Sequence, residues 1–118
     1  MKLDLLDKAR EFVVDGITIK DQGKIYLNND ELVSFVTKTG REYDFVAKNW
    51  GFYASPSLNS RLVKEGFKSA LVKNGNGQIY LMIVDKDKID EFNEYIQGDQ
   101  KVVAWLDENN FDYVGKLK

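Results

Sequence analysis

The residues best placed to do chemistry lie in one short run: Lys48, Tyr53, Ser55, Ser57, Asn59 and Arg61. Ser55 precedes Pro56, so a capping hydroxyl stands before a residue whose fixed φ suits the first turn of a helix. A helix N-terminus offers unpaired backbone N–H groups and the positive end of a dipole, both of which favour anions. Arg61 lies about one and a half turns further on, and its guanidinium fork can reach back because helical side chains lean toward the N-terminus. Tyr53, which strand alternation can expose, and Lys48 complete a strand-to-helix corner over 48–61 suited to an anionic or nucleotide-like ligand. The competing reading is structural. Ser-Pro-Ser is a common helix cap, and no glycine-rich phosphate loop accompanies it.

No catalytic residue, metal ligand or cofactor can be assigned. The 118 residues contain no cysteine and no histidine, which excludes disulfides, thiolate catalysis, iron–sulfur clusters and Cys-ligated zinc, and removes the usual neutral-pH acid/base. Lysine, serine and carboxylate chemistry remain, but no spacing recommends them. The run Asp85-Lys86-Asp87-Lys88 resembles a calcium loop only in its opening: it lacks the mid-loop glycine, and position twelve is Ile96 instead of glutamate. These exclusions weigh against an enzyme.

The elements that would position the corner follow from periodicity and turn residues. Apolar residues within 3–13 recur at helical spacing, and Asp15-Gly16 closes that helix. Residues 16–20 and 24–28 form a hairpin around Asp21-Gln22-Gly23, a second hairpin surrounds Lys38-Thr39-Gly40, and a third surrounds Asn74-Gly75-Asn76-Gly77. The apolar run 79–84 reads as a central strand covered on both faces. Residues 48–54 form a strand with Trp50 and Phe52 on its core side. A helix of about three turns starts at Pro56 and stops at Gly66, with Leu62 and Phe67 in contact at its end. Asp85 caps a further helix that ends at Gly98, with Phe92 and Ile96 on its face. Asp99 caps the last helix, whose buried face is Val102, Val103, Trp105 and Leu106, with Asn109 and Asn110 as its stop. Residues 111–114 alternate as an edge strand would, and the tail beyond frays. The pentapeptides at 23–27 and 77–81 differ at one position, but their flanks do not align, so no internal repeat is inferred.

Short connections between strands predict antiparallel pairing. The expected architecture is a single α+β domain over residues 1–118, with an antiparallel sheet of five or six strands built from three hairpins. About four helices pack mainly on one face. Its core should include Leu58, Leu62, Phe67, Leu71, Tyr80, Met82, Phe92, Val103 and Trp105.

A formal net charge of −2 lacks the basic field on which bulk nucleic-acid binding depends. No apolar run is long enough to span a bilayer, and acids interrupt the first residues where a signal peptide would be apolar. The chain therefore reads as a cytoplasmic protein beginning at Met1. Charge is nevertheless segregated: four cations against one acid over 61–73, and six acids against two lysines over 85–99. Such opposite segments can guide binding to a protein partner, or a homodimer. The leading expectation is a non-catalytic interaction protein, such as an inhibitor, adaptor or phage-type accessory factor, that binds another protein. The alternative is a small-ligand binder for an anion at the 48–61 corner. If that corner is the functional locus, Arg61→Ala and Tyr53→Ala each weaken binding of the ligand or partner by at least roughly fivefold while leaving the fold intact, as titration of the two variants would show.

Overall fold

The computed structural model of the chain describes residues 1–108, and strands dominate it. In order they are β1 (Lys2–Val14), β2 (Ile17–Tyr26), β3 (Leu32–Val36), β4 (Glu42–Lys48), β5 (Gly51–Ala54), α1 (Arg61–Lys64), β6 (Phe67–Lys73), β7 (Ile79–Asp85), α2 (Ile89–Tyr95) and β8 (Lys101–Trp105). A single 3-10 turn at Lys86–Lys88 joins β7 to α2. The strands form three small sheets, ordered β1-β2, β3-β4-β5 and β7-β6-β8. One sheet of five or six strands under about four helices is therefore not what forms. The segments 109–110 and 111–114, read above as a helix stop and an edge strand, lie outside the described residues.

The chain divides into two compact units: Met1–Val33 with Phe45–Tyr53, and Ser34–Asp44 with the chain from Ala54 onward. The strands β3, β4 and β5 run through both.

In the first unit, the expected helix over 3–13 is the strand β1, paired antiparallel with β2. Asp15 and Gly16 do not end a helix. They are the two central residues of a hairpin, with φ of 50° and 79°, the positive pair that a type I′ turn needs and that Asp-Gly supplies readily. Asp21-Gln22-Gly23 is not a turn either, since β2 runs through it. The register shifts there: Leu5 faces Gly23 and Arg10 faces Asp21, so β1 carries the extra residues of a large bulge. Gly23 is required at the bulge, because a Cβ on it would lie 2.2 Å from the Asp4 carbonyl oxygen. Residues 48–54 are likewise broken, by a turn at Asn49 and Trp50 between β4 and β5.

The second unit is built on β6. Its even-numbered side chains Ala70 and Val72 are buried with Ile96, and Met82, Phe92, Val102 and Trp105 pack around them. Phe92 meets the Trp105 ring edge-on at a centroid distance of 5.7 Å. Val102 and Trp105 belong to β8 and not to the expected helix. β8 pairs Val102 with Val72 and Trp105 with Ala70, with Val103 bulged out between them. Val103, expected in the core, is consequently exposed, and Tyr80 on β7, also expected there, is exposed as well. β7 is an edge strand, and β6 takes the central place that β7's apolar run had suggested for itself.

The helix expected to start at Pro56 is shorter than predicted. Only Arg61–Lys64 is helical, and residues 56–60 are turn and bend. Its stop is as expected: Gly66 has φ of 93°, and its N–H donates to the Val63 carbonyl at 3.0 Å. Leu62 is fully buried and Phe67 nearly so, the latter meeting Tyr43 edge-on at 6.0 Å. Leu62 has 0% exposure and thus no freedom to relax into solvent. Leu62→Ala should cost ~2–5 kcal/mol, measurable as a lowered urea midpoint at unchanged m-value.

Candidate functional site

The β1–β2 ribbon has two chemically different faces. In its distal half, Phe12 opposes Ile19 and Val14 opposes Ile17, while Glu11 opposes Lys20 and Val13 opposes Thr18 on the other side. In its proximal half, Leu3 opposes Ile25, alternating with Lys2 opposite Tyr26 and Asp4 opposite Lys24. Each half therefore presents an apolar face and a polar face, the polar one carrying opposite charges directly across the strands. Arg10 and Asp21, paired at 2.9 Å, mark the bulge between the halves, and the Asp21 carboxylate also accepts the Gly23 N–H at 3.0 Å. The apolar face is open to solvent: Leu3 is 52% exposed and Phe12 45%. Among the described residues, neither strand has a further strand beside it.

The same unit holds an exposed aromatic turn. Trp50 and Phe52 are 71% and 66% exposed, against the expectation that they are core. Trp50 stacks on Tyr53 at a centroid distance of 6.2 Å. The turn after β4 directs these rings outward, because Gly51, with φ of 142°, interrupts the alternation that would have buried them.

The residues read as a binding corner are divided. Lys48 and Tyr53 belong to the first unit, while Ser55, Ser57, Asn59 and Arg61 belong to the second. The Lys48 ammonium pairs with the Asp30 carboxylate, a hydrogen bond that holds its pKa above the ordinary lysine value. The Ser55 hydroxyl does not cap; it is buried and meets no hydrogen-bond partner. Ser60 holds the N-cap position without a side-chain cap bond, and the Ser57 Oγ accepts the Arg61 N–H at 2.9 Å from three residues further back. Asn59 is exposed. Arg61 is engaged on both sides, with Asp44 and Glu65 each at 2.9 Å.

A different arginine organises the second unit. Arg41, next to Gly40 in the β3–β4 turn, places Nε 2.9 Å from Asp85 and Nη2 2.6 Å from Asp87, and Nη1 donates to the Glu65 carbonyl at 3.0 Å. Thr39 adds a hydrogen bond to Asp85 at 3.2 Å. These residues line an open cleft of about 530 Å³ with Lys88 at its rim. The guanidinium is already spent on three acceptors, so the cleft is a structural knot and offers an anion no vacant fork. Among the described residues, no group of three acidic side chains is arranged to hold a metal ion. Sequence reading missed Arg41. The available signal was an arginine after a turn glycine together with an Asp-x-Asp at a strand end, a pairing that spacing alone does not reveal.

Compared with known protein families, curated proteins and solved structures, the chain matches none.

Asp85 is held below the ordinary carboxylate range, first by the Asp87 backbone N–H and then, against the cost of burial, by Thr39 and Arg41. A carboxyl with a lowered pKa in the folded state stabilises above its unfolded value, and that contribution is lost as pH falls through the lowered value. Asp85→Asn should therefore lower the melting temperature most at neutral pH, with the gap from wild type closing as pH falls below the ordinary aspartate value and through the lowered one. Thermal melts of both proteins across that range would check it.

Proposed function

We propose that this protein is a non-catalytic interaction module that binds another protein through the apolar face of its β1–β2 ribbon. The observation that carries the reading is the division of the ribbon into an apolar and a charge-paired face, with the apolar one left open. A two-stranded ribbon is marginal in water by itself, and an apolar patch of this kind on a folded protein marks a contact surface. The partner this face suits presents an apolar strip of its own, because the charges that stand directly opposite one another on the ribbon, Asp4 and Lys24, Arg10 and Asp21, Glu11 and Lys20, are of opposite sign. The exposed Trp50 and Phe52 in the same unit add the aromatic anchors in which interfaces are rich. The anionic-ligand reading of the 48–61 corner gains less support, since both the Lys48 and Arg61 charges are matched by carboxylates.

Bait proteins immobilised side by side test the proposal: wild type, Phe12→Asp on the apolar face, and Lys20→Ser on the polar face, with circular dichroism confirming the fold of each. A partner held by wild type and by Lys20→Ser, and weakened at least about tenfold by Phe12→Asp, is the expected result. Equal binding by all three rejects the ribbon face. A thermal shift produced by nucleotides or sugar phosphates, rising with ligand concentration, would instead support the corner.

A further inference from the structure

We propose that β7 is a self-pairing edge, joining a second copy of the chain in antiparallel register about Leu81. This goes beyond the ribbon reading and uses a separate surface in the other unit.

The backbone phase of the β6–β7 hairpin shows which groups are open. Asn74 N–H donates to Gln78 O at 3.0 Å, and Lys86 N–H donates to Gly66 O at 2.9 Å. These bonds lie at the two ends of one ladder that runs without a register shift from Phe67 opposite Asp85 to Lys73 opposite Ile79. Hydrogen-bonded pairs alternate along an antiparallel ladder, so Tyr80, Met82 and Val84 bond toward β6. Ile79, Leu81 and Ile83 then turn their N–H and C=O groups away from it, toward the side where, among the described residues, no strand stands.

That edge lacks the usual guards. Between Ile79 and Val84 there is no proline, lysine or other charge, and its pairing to β6 has no bulge, whereas natural edges are commonly blunted by one of these. Ile79 and Leu81 are each 57% exposed. The choice of a second copy as occupant rests on the strand's own symmetry. Ile79-Tyr80-Leu81-Met82-Ile83 reads Ile-x-Leu-x-Ile in both directions. A two-fold axis through Leu81, perpendicular to the sheet, sets Leu81 opposite the partner's Leu81 and Ile79 opposite the partner's Ile83. The outward groups then meet as three pairs, each exchanging two backbone hydrogen bonds. Tyr80 falls opposite the partner's Met82 on the other face. No like charges are opposed, and the apolar odd-numbered face continues from one copy to the other. Two three-stranded sheets become one of six strands.

Because the chain contains no cysteine, single-cysteine variants report the register directly. Wild type should sediment as a concentration-dependent dimer, and Leu81→Lys, which sets two ammonium groups against each other on the axis, should raise the dimer dissociation constant at least about tenfold. In an antiparallel hydrogen-bonded pair the Cα atoms stand about 5.5 Å apart, within disulfide reach. Leu81→Cys should therefore cross-link readily under mild oxidation, and Ile79→Cys, which faces a different residue of the partner, should not. Ultracentrifugation showing a monomer at all concentrations overturns the proposal, as does a dimer untouched by Leu81→Lys or equal cross-linking at 79 and 81. If Leu81→Lys does not fold, the cysteine pair still decides. Phe12→Asp should leave the dimer unchanged, so failure of the ribbon reading and failure of this one are separable.

Discussion

The second unit is tied together by one guanidinium. Arg41 reaches from the β3–β4 turn to the end of β7, the 3-10 turn that follows it and the carbonyl of Glu65, joining three stretches of chain well separated in sequence. A planar fork with five donors can do this and an ammonium cannot. Gly66 shows how closely the surroundings fit the fork: a Cβ there would lie 1.6 Å from Arg41 Nη1. Gly66 therefore serves twice, taking the left-handed conformation that ends α1 and leaving room for the guanidinium. Asp85 also serves twice, capping the 3-10 turn through the Asp87 N–H and receiving Arg41. The turn, the helix stop and the strand end are thus not independent local decisions.

Much of the strand pattern was legible, and the errors share a cause. Hairpins flagged by Lys38-Thr39-Gly40 and by Asn74-Gly75-Asn76-Gly77 form because those turns need residues tolerant of positive φ or of local side-chain hydrogen bonds. Leu62, Gly66 and the Asp85 cap were legible for equally local reasons. Helices were misassigned where strands bulge. On β8 the extra residue Val103 moves Trp105 onto the same side as Val102, so two core side chains three positions apart imitate a helical i, i+3 pair. On β1 the larger bulge between Leu5 and Arg10 breaks the two-residue period, and the apolar residues on either side of it fall into a helical spacing. A bulge is fixed by the partner strand, which a window along one segment cannot see.

The helix on which the corner reading drew is shorter than its spacing suggested, for a related reason. That reading needed a helix of several turns whose free N–H groups faced an arginine. Arg61–Lys64 makes a single turn, its first N–H is satisfied by Ser57, and the arginine closes on Asp44 and Glu65. The serines that marked a helix start at Pro56 stand before a turn instead, and the N-cap position falls to Ser60, whose side chain does not cap.

Part of the charge segregation seen in the sequence is taken up by local contacts. Within the basic run, Arg61 meets Asp44 and Glu65, and Lys68 meets Asp107 at 3.0 Å while lying 5.0 Å over the Trp105 ring. Within the acidic run, Asp85 and Asp87 meet Arg41, and Asp99 accepts the Gly75 N–H at 3.0 Å. These particular charges act in the fold as short-range fasteners, and fastened charges steer partners weakly. The apolar residues follow the opposite course. Periodicity suggested cores for Trp50, Phe52 and Tyr80, yet these are exposed, together with the inner-looking face of β1 and β2. Sheets of two and three strands have too little neighbouring structure to cover both of their faces. Among the described residues the apolar side chains of these small sheets are thus left at the surface, while ion pairs such as Arg41 with Asp85 fix the turns between strands.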